Sequence, residues 1–145
     1  TYVDRDGEKK TPVVLHRAIL GSLDRFMAYI LEETKGNLPT WLAPVQARIM
    51  PVKTDDPELN AYAQKIYDAL DAADVRVELD DRAEKLGYRM REGQVQKFPY
   101  LLVIGMKEKE DGTVAYRLHG QKETTVLPLD EFVAKLTTEI ETKAR

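Results

Sequence analysis

The run Phe98-Pro-Tyr-Leu-Leu-Val-Ile-Gly105 decides how the rest of the chain is read. Its centre, Tyr100 to Ile104, is unbroken by any charged residue and is bounded by Pro99 and Gly105. A strand with one wet face alternates apolar and polar residues, whereas a strand covered on both faces does not. Tyr100–Ile104 is therefore predicted to be a central strand with helices on both sides of its sheet.

The flanking sequence supports this reading. Gln46 to Val52 reads as a strand. Asp56 is placed to cap a helix whose first residue is Pro57, where a missing N–H is harmless. Leu59, Tyr62, Ala63, Ile66, Ala69, Leu70 and Ala73 then mark one apolar helix face. Val75, Val77 and Leu79 alternate with Arg76 and Glu78 as a half-buried strand. Asp80-Asp81-Arg82 leads into a helix from about Leu86 to Lys97. Gly93 weakens that helix by about 1 kcal/mol relative to alanine. Beyond the central run, Met106 to Asp111 is expected to be a loop, with a turn at Glu110-Asp-Gly112. Strands are expected at Thr113–Leu118 and, as a short edge, around Glu123–Leu127. Pro128 opens a last helix with Leu129, Phe132, Val133, Leu136 and Ile140 on its inner face. This order, βαβαβ followed by a β-turn-β and a helix, implies an α/β fold with a largely parallel sheet. Right-handed crossovers put ligand-facing loops at the carboxyl ends of the parallel strands, here Asp80–Lys85 and Met106–Asp111.

The N-terminal stretch is organised differently. Asp6-Gly7 between two strand-like runs predicts a hairpin. Pro12 to Leu20 is apolar and rich in β-branched residues, as in a buried strand. Gly21-Ser22 breaks it, and Ser22 can cap a helix carrying Leu23, Phe26, Met27, Ile30 and Leu31 at helical spacing. Gly36 can close that helix in the left-handed conformation. Arg25 lies in its first turn, where the helix dipole disfavours a cation. Gly36, Asn37, Pro39 and Pro44 punctuate a boundary, giving units 1–44 and 45–145.

Composition narrows the function classes. The chain has 145 residues, 43% apolar and 32% charged, as in an ordinary globular protein. No run reaches the roughly 18 apolar residues of a membrane span, and residues 2–10 do not resemble a signal peptide. With no cysteine, disulfides and thiolate metal sites are excluded, which suits a cytoplasmic protein. The absence of Met at position 1 fits an excised fragment. The net charge of −3 means that nucleic-acid binding would need a local patch. Residues 82–97 offer one, because Arg82, Lys85, Arg89, Arg91 and Lys97 outnumber Glu84 and Glu92. On charge alone the same run also reads as a solvated helix face.

Four stretches in order resemble one family. His16-Arg-Ala-Ile-Leu-Gly-Ser-Leu-Asp-Arg-Phe26 resembles the third signature motif of class II aminoacyl-tRNA synthetases, in the form carried by threonyl-tRNA synthetases. Trp41-Leu-Ala-Pro-Val-Gln46 resembles the junction after their catalytic domain. Gly87-Tyr-Arg-Met-Arg-Glu92 and Phe98–Gly105 resemble parts of their anticodon-binding domain. The resemblance implies a remnant of the catalytic domain over 1–44, a motif strand and helix. It implies a three-layer α/β/α anticodon-binding domain over 45–145, with a mixed, mostly parallel five-stranded sheet. It also implies that the intact enzyme joins threonine to its tRNA, converting ATP to AMP and diphosphate, as a cytoplasmic homodimer. The fragment alone is expected to be inactive, since the first two class II motifs are absent.

The resemblance also assigns roles to residues. Arg25 would contact ATP phosphates and Ser22 would line the threonine pocket, in the full enzyme only. His16 would be a zinc ligand there. Its partner ligands lie upstream, so the fragment itself is expected to hold no cofactor, while zinc and ATP with magnesium belong to the whole enzyme. A lone histidine in an apolar run also reads as a packed core residue. For the anticodon loop of threonine tRNA, the family's Asn, Glu and Arg positions hold Ala83, Glu108 and Arg117. Glu108 can accept from base N–H groups and Arg117 can pair with guanine O6 and N7. Lys85 and Arg82 can meet phosphates. Ala83 cannot hydrogen-bond, and Met106 stands where the family usually has Asp. Those departures keep open a second reading, an interaction or regulatory relative that has lost RNA recognition. A free-standing ATP-dependent enzyme is disfavoured by the missing motifs.

Overall fold

The computed structural model describes residues 1–144. Strands β1 (Tyr2–Val3) and β2 (Lys9–Lys10) pair antiparallel about the Asp6-Gly7 turn. Lys10 Nζ ties this hairpin together by contacting Asp4 at 2.5 Å and Asp6 at 2.7 Å. Helix α1 (Leu23–Thr34) begins as its sequence suggests, with Ser22 Oγ accepting from Arg25 N–H at 3.3 Å. Lys35 and Gly36 close it with positive φ angles of 53° and 74°.

The expected strand over Pro12–Leu20 is not formed. Residues 11–18 have no regular secondary structure, and Val13, Leu15 and Ile19 are 77–89% exposed. A strand needs a ladder partner for its backbone groups, and none of the described residues pairs with this run. No residue of α1 is buried either, so its helicity rests on its cap and local propensity.

From residue 46 onward the sheet follows the alternation. Its strands are β3 (Ala47–Pro51), β4 (Val77–Leu79), β5 (Tyr100–Ile104), β6 (Thr113–Leu118) and β7 (Thr125–Pro128), in the spatial order β4-β3-β5-β6-β7. β3 is parallel to both β4 and β5, while β6 is antiparallel to β5 and β7. Four strands therefore share one direction and only β6 opposes them. The run read as central occupies the middle of the sheet.

Helices α2 (Pro57–Asp71) and α5 (Leu129–Glu141) cover one face. Asp56 caps α2 by accepting from Glu58 and Leu59 N–H groups. The centre of this layer is an aromatic trio, Tyr100, Tyr116 and Phe132, with ring centroids 5.1–5.7 Å apart. Tyr100 donates its hydroxyl to Glu139 at 2.5 Å and accepts from Lys135 at 2.7 Å. Burial, reinforced by the Glu139 carboxylate, pushes the Tyr100 phenol well above its usual pKa. The other face carries one helix, α3 (Leu86–Val95), packed over Met50, Phe98 and Leu101. Gly93 explains its place mid-helix: an added Cβ would lie 2.6 Å from Leu101 Cδ2. Met106–Asp111, expected as a loop, is instead a short helix, α4. Glu108 makes it one by accepting from Gly105 N–H at 2.9 Å, and Gly112 ends it at φ 65°.

A buried ionic layer locks α3 to the sheet. Arg89 is fully buried and donates to three main-chain carbonyls, Pro51 at 2.7 Å, Asp80 at 2.8 Å and Glu84 at 3.1 Å. Burial lowers its pKa and the Asp80 carboxylate acts in the opposite sense. Beside it, Arg82 grips both oxygens of Asp80 at 2.8 Å and also bonds Glu92. Arg48 bonds Glu78 at 2.8 Å and stacks on Phe98, 4.7 Å from the ring centre. The Arg82 hydrogen bonds hold the carboxyls of Asp80 and Glu92 below their ordinary range. The segment before β3 is clamped as well: Arg76 donates to the carbonyls of Trp41 and Ala43, and Gln46 to that of Thr40.

Three outcomes follow from this packing. Gly93→Ala is expected to destabilise despite better helix propensity, by about 1–3 kcal/mol. Urea titration of G93A, L101A and the double variant should show less than additive losses, because shortening Leu101 makes room for the methyl. Arg89→Met keeps the aliphatic stem but strips three buried carbonyls of their donor. It should lose about 3 kcal/mol or more of unfolding free energy, read by the same titration. For pH, the Asp80 carboxyl titrates lower in the folded chain than its ordinary 3.8. Its stabilisation is thus complete above that value and fades as pH falls through the folded pKa. Asp80→Asn should be less stable than wild type at pH 7, and the two should converge as acidification below 3.8 carries the carboxyl through its lowered folded pKa.

Candidate nucleic-acid interface

The layer on the α3 side is one helix wide, and it covers β3 and β5 only. Strand alternation sends Ala115 and Arg117 of β6, and Val126 of β7, to this same face. Val126 is 52% exposed there. The step between α3 and the uncovered strands forms an open cleft of about 470 Å³. Leu86, Met90 and Val103 make its apolar wall, and Glu108, Arg117 and Thr124 supply its polar groups.

Each polar group is held from a different direction. Glu108 comes from α4, and one of its carboxylate oxygens is occupied by Gly105 N–H. An added Cβ at Gly105 would lie 2.8 Å from that oxygen, so a side chain there would push the Glu108 carboxylate aside. Arg117 comes from β6 and donates from Nη2 to Thr124 Oγ1 at 3.2 Å. Its Nε is buried without a hydrogen-bond partner. The cleft therefore offers an acceptor, a cationic planar donor and an apolar surface. Such a set suits a flat heterocycle whose edge carries both donors and acceptors.

The other sequence-nominated residues sit elsewhere. Arg82 lies on the β4 side of α3, bound to Asp80 and Glu92, and does not line the cleft. Lys85 is exposed just before the first turn of α3, with no side-chain hydrogen bond among the described residues. Ala83 is exposed in the loop between them, and Met106 is the first residue of α4. The basic run over 82–97 does not form one cationic surface. Arg89 is buried, Arg82 is paired, and Lys97 Nζ donates to the Lys35 carbonyl. Nor is it a plain solvated helix face, since Arg89 and Gly93 point into the protein.

His16, Ser22 and Arg25 lie in the exposed N-terminal segment, away from the cleft. His16 is not a packed core residue. Among the described residues no three His, Cys, Asp or Glu side chains converge to hold a metal ion. A zinc site requires three or four converging ligands, so the residues present do not fit one.

Thr124, Leu86 and Met90 were not singled out by sequence. Finding Thr124 requires the β6–β7 register, in which Tyr116 faces Thr125 and so Arg117 faces Thr124.

Residues 46–139 match the family described as the anticodon binding domain. The chain is 47% identical over 143 residues to a threonine–tRNA ligase of Caldanaerobacter subterraneus subsp. tengcongensis, covering 99% of the chain and 22% of that relative. It is 49% identical over 140 residues to a threonine–tRNA ligase of Listeria monocytogenes, with 97% and 22% covered. The chain thus spans about a fifth of the length of these curated relatives. Among solved structures, the RNA binding domain of threonyl-tRNA synthetase from Cryptosporidium parvum superposes with a TM-score of 0.75 at 34% identity. That match covers 83% of this chain and 30% of the other. A prolyl-tRNA synthetase from the same organism gives 0.65 at 25% identity, over 73% of this chain and 23% of the other. With its matched region spanning most of its length, the chain belongs to the anticodon-binding domain family, and over nearly all of its own length it is similar to part of the threonine–tRNA ligases.

Proposed function

We propose that this chain is the anticodon-docking part of a threonine–tRNA ligase and that the cleft beside α3 receives bases of the anticodon loop of threonine tRNA. The observation that carries this reading is the convergence of Glu108 from α4 and Arg117 from β6 on one cleft. Unpaired loop bases can splay out, rest a face on Leu86, Met90 and Val103, and present their edges to the two charged groups. The free oxygen of Glu108 accepts from a base amino or imino group. Arg117 donates to guanine O6 and N7. Lys85, exposed before the first turn of α3, is available to a backbone phosphate. Arg82 reaches a phosphate only from the β4 side of α3, while its other edge stays on Asp80.

The whole enzyme would join threonine to this tRNA at the expense of ATP, working as a homodimer in the cytoplasm. In it, Arg25 would contact the ATP phosphates and Ser22 would line the threonine pocket. His16 would join upstream residues around zinc, and magnesium would accompany ATP. Among the described residues no helix is long and apolar enough to cross a membrane. Activation of threonine needs groups converging from several directions. The fragment carries Arg25 and Ser22 on a segment exposed to solvent, so it is expected to bind RNA without charging it.

The test is a titration of the 145-residue chain with the threonine anticodon stem-loop and with an unrelated stem-loop, at several salt concentrations. Affinity for both should fall with salt, and a preference for the threonine loop should persist throughout. Arg117→Met should reduce that preference by about tenfold or more. Equal affinity for the two RNAs at every salt concentration would overturn the proposal.

A further inference from the structure

We infer that Thr124 is a positioning residue which aims Arg117 at the edge of a guanine in the cleft. This rests on the anticodon reading above and goes further, because it names a residue expected not to need to touch the base. Tyr116 pairs with Thr125, and one step beyond that ladder Arg117 of β6 faces Thr124, just before β7. Alternation sends both side chains to the α3 side of the sheet, where cross-strand neighbours interact.

Arg117 is a long side chain with much rotamer freedom to lose. Two-point recognition of O6 and N7 requires its plane to be set in advance. The Thr124 hydroxyl is the one side-chain partner the guanidinium has among the described residues, at 3.2 Å from Nη2. Neither Asp nor Glu pairs with Arg117 among those residues, although Glu108 lines the same cleft. A neutral hydroxyl suits this purpose. It fixes the rotation of the guanidinium while leaving its charge uncompensated. It takes up one of the two Nη2 hydrogens and leaves the other guanidinium donors without a side-chain partner among the described residues. A carboxylate in place of Thr124 would compete with the base for those same donors.

The test compares wild type, Thr124→Val and Thr124→Ser. The probes are the threonine anticodon stem-loop and the same loop with anticodon guanine replaced by 7-deazaguanine, which lacks N7. Wild type should bind the guanine loop about tenfold more tightly than the 7-deaza loop. T124V, of nearly the same shape, should keep its affinity for the 7-deaza loop and bring the two within about twofold. T124S should restore the preference, and all three proteins should unfold at similar temperatures. A T124V variant with the full wild-type preference, or one weakened equally toward both RNAs, would overturn the inference while leaving the cleft reading intact. A wild type indifferent to N7 would overturn the two together.

Discussion

A single buried guanidinium, that of Arg89, holds the arrangement of this domain together. Parallel strands all end on one side of their sheet, and the last carbonyls of β3 and β4 there have no further strand to bond. Arg89 answers that need from α3, capping the carbonyls of Pro51, Asp80 and Glu84. Unsatisfied, each such group would carry its full desolvation penalty. A helix that must deliver this side chain has little choice of position. The contacts of Gly93 with Leu101 then bring it close against β5.

The place of α3 in turn creates the cleft. One helix covers β3 and β5, and β6 and β7 continue past it without a lid. The floor beside the helix is therefore open at Val126, while Ala115 stays buried and Arg117 stands half-buried between α3 and β7. On the far side of α3, Glu92 of the helix and Asp80 at the end of β4 both bind Arg82, so the charges there satisfy one another. The two sides of one helix differ because the ionic groups of one are paired and those of the other are not.

The N-terminal segment shows what local sequence achieves without a partner. Ser22 caps α1 and the helix forms, although none of its residues is buried. The adjoining run around Val13–Ile19 has strong strand character and stays irregular, because a strand cannot satisfy its own backbone. Its connection to the sheet domain is firm all the same. Arg76 and Gln46 bind the carbonyls of Thr40, Trp41 and Ala43, and Glu139 of α5 bonds the Thr40 hydroxyl.

Periodicity and caps were sufficient to read α2, α5, the alternation of strands and helices, and the central place of Tyr100–Ile104, since each depends on residues adjacent in the chain. Glu108 and Arg117 were legible only through a family resemblance, for no spacing between them signals contact. Three matters were decided by tertiary structure alone. Met106–Asp111 became a helix because the Glu108 carboxylate found room beside Gly105. The cations of residues 82–97 were divided between core and surface by the carbonyls and carboxylates that β3 and β4 bring beneath α3. The pairing of Arg117 with Thr124 came from strand register, which hydrogen bonds across the sheet set and the order of residues along a strand does not reveal.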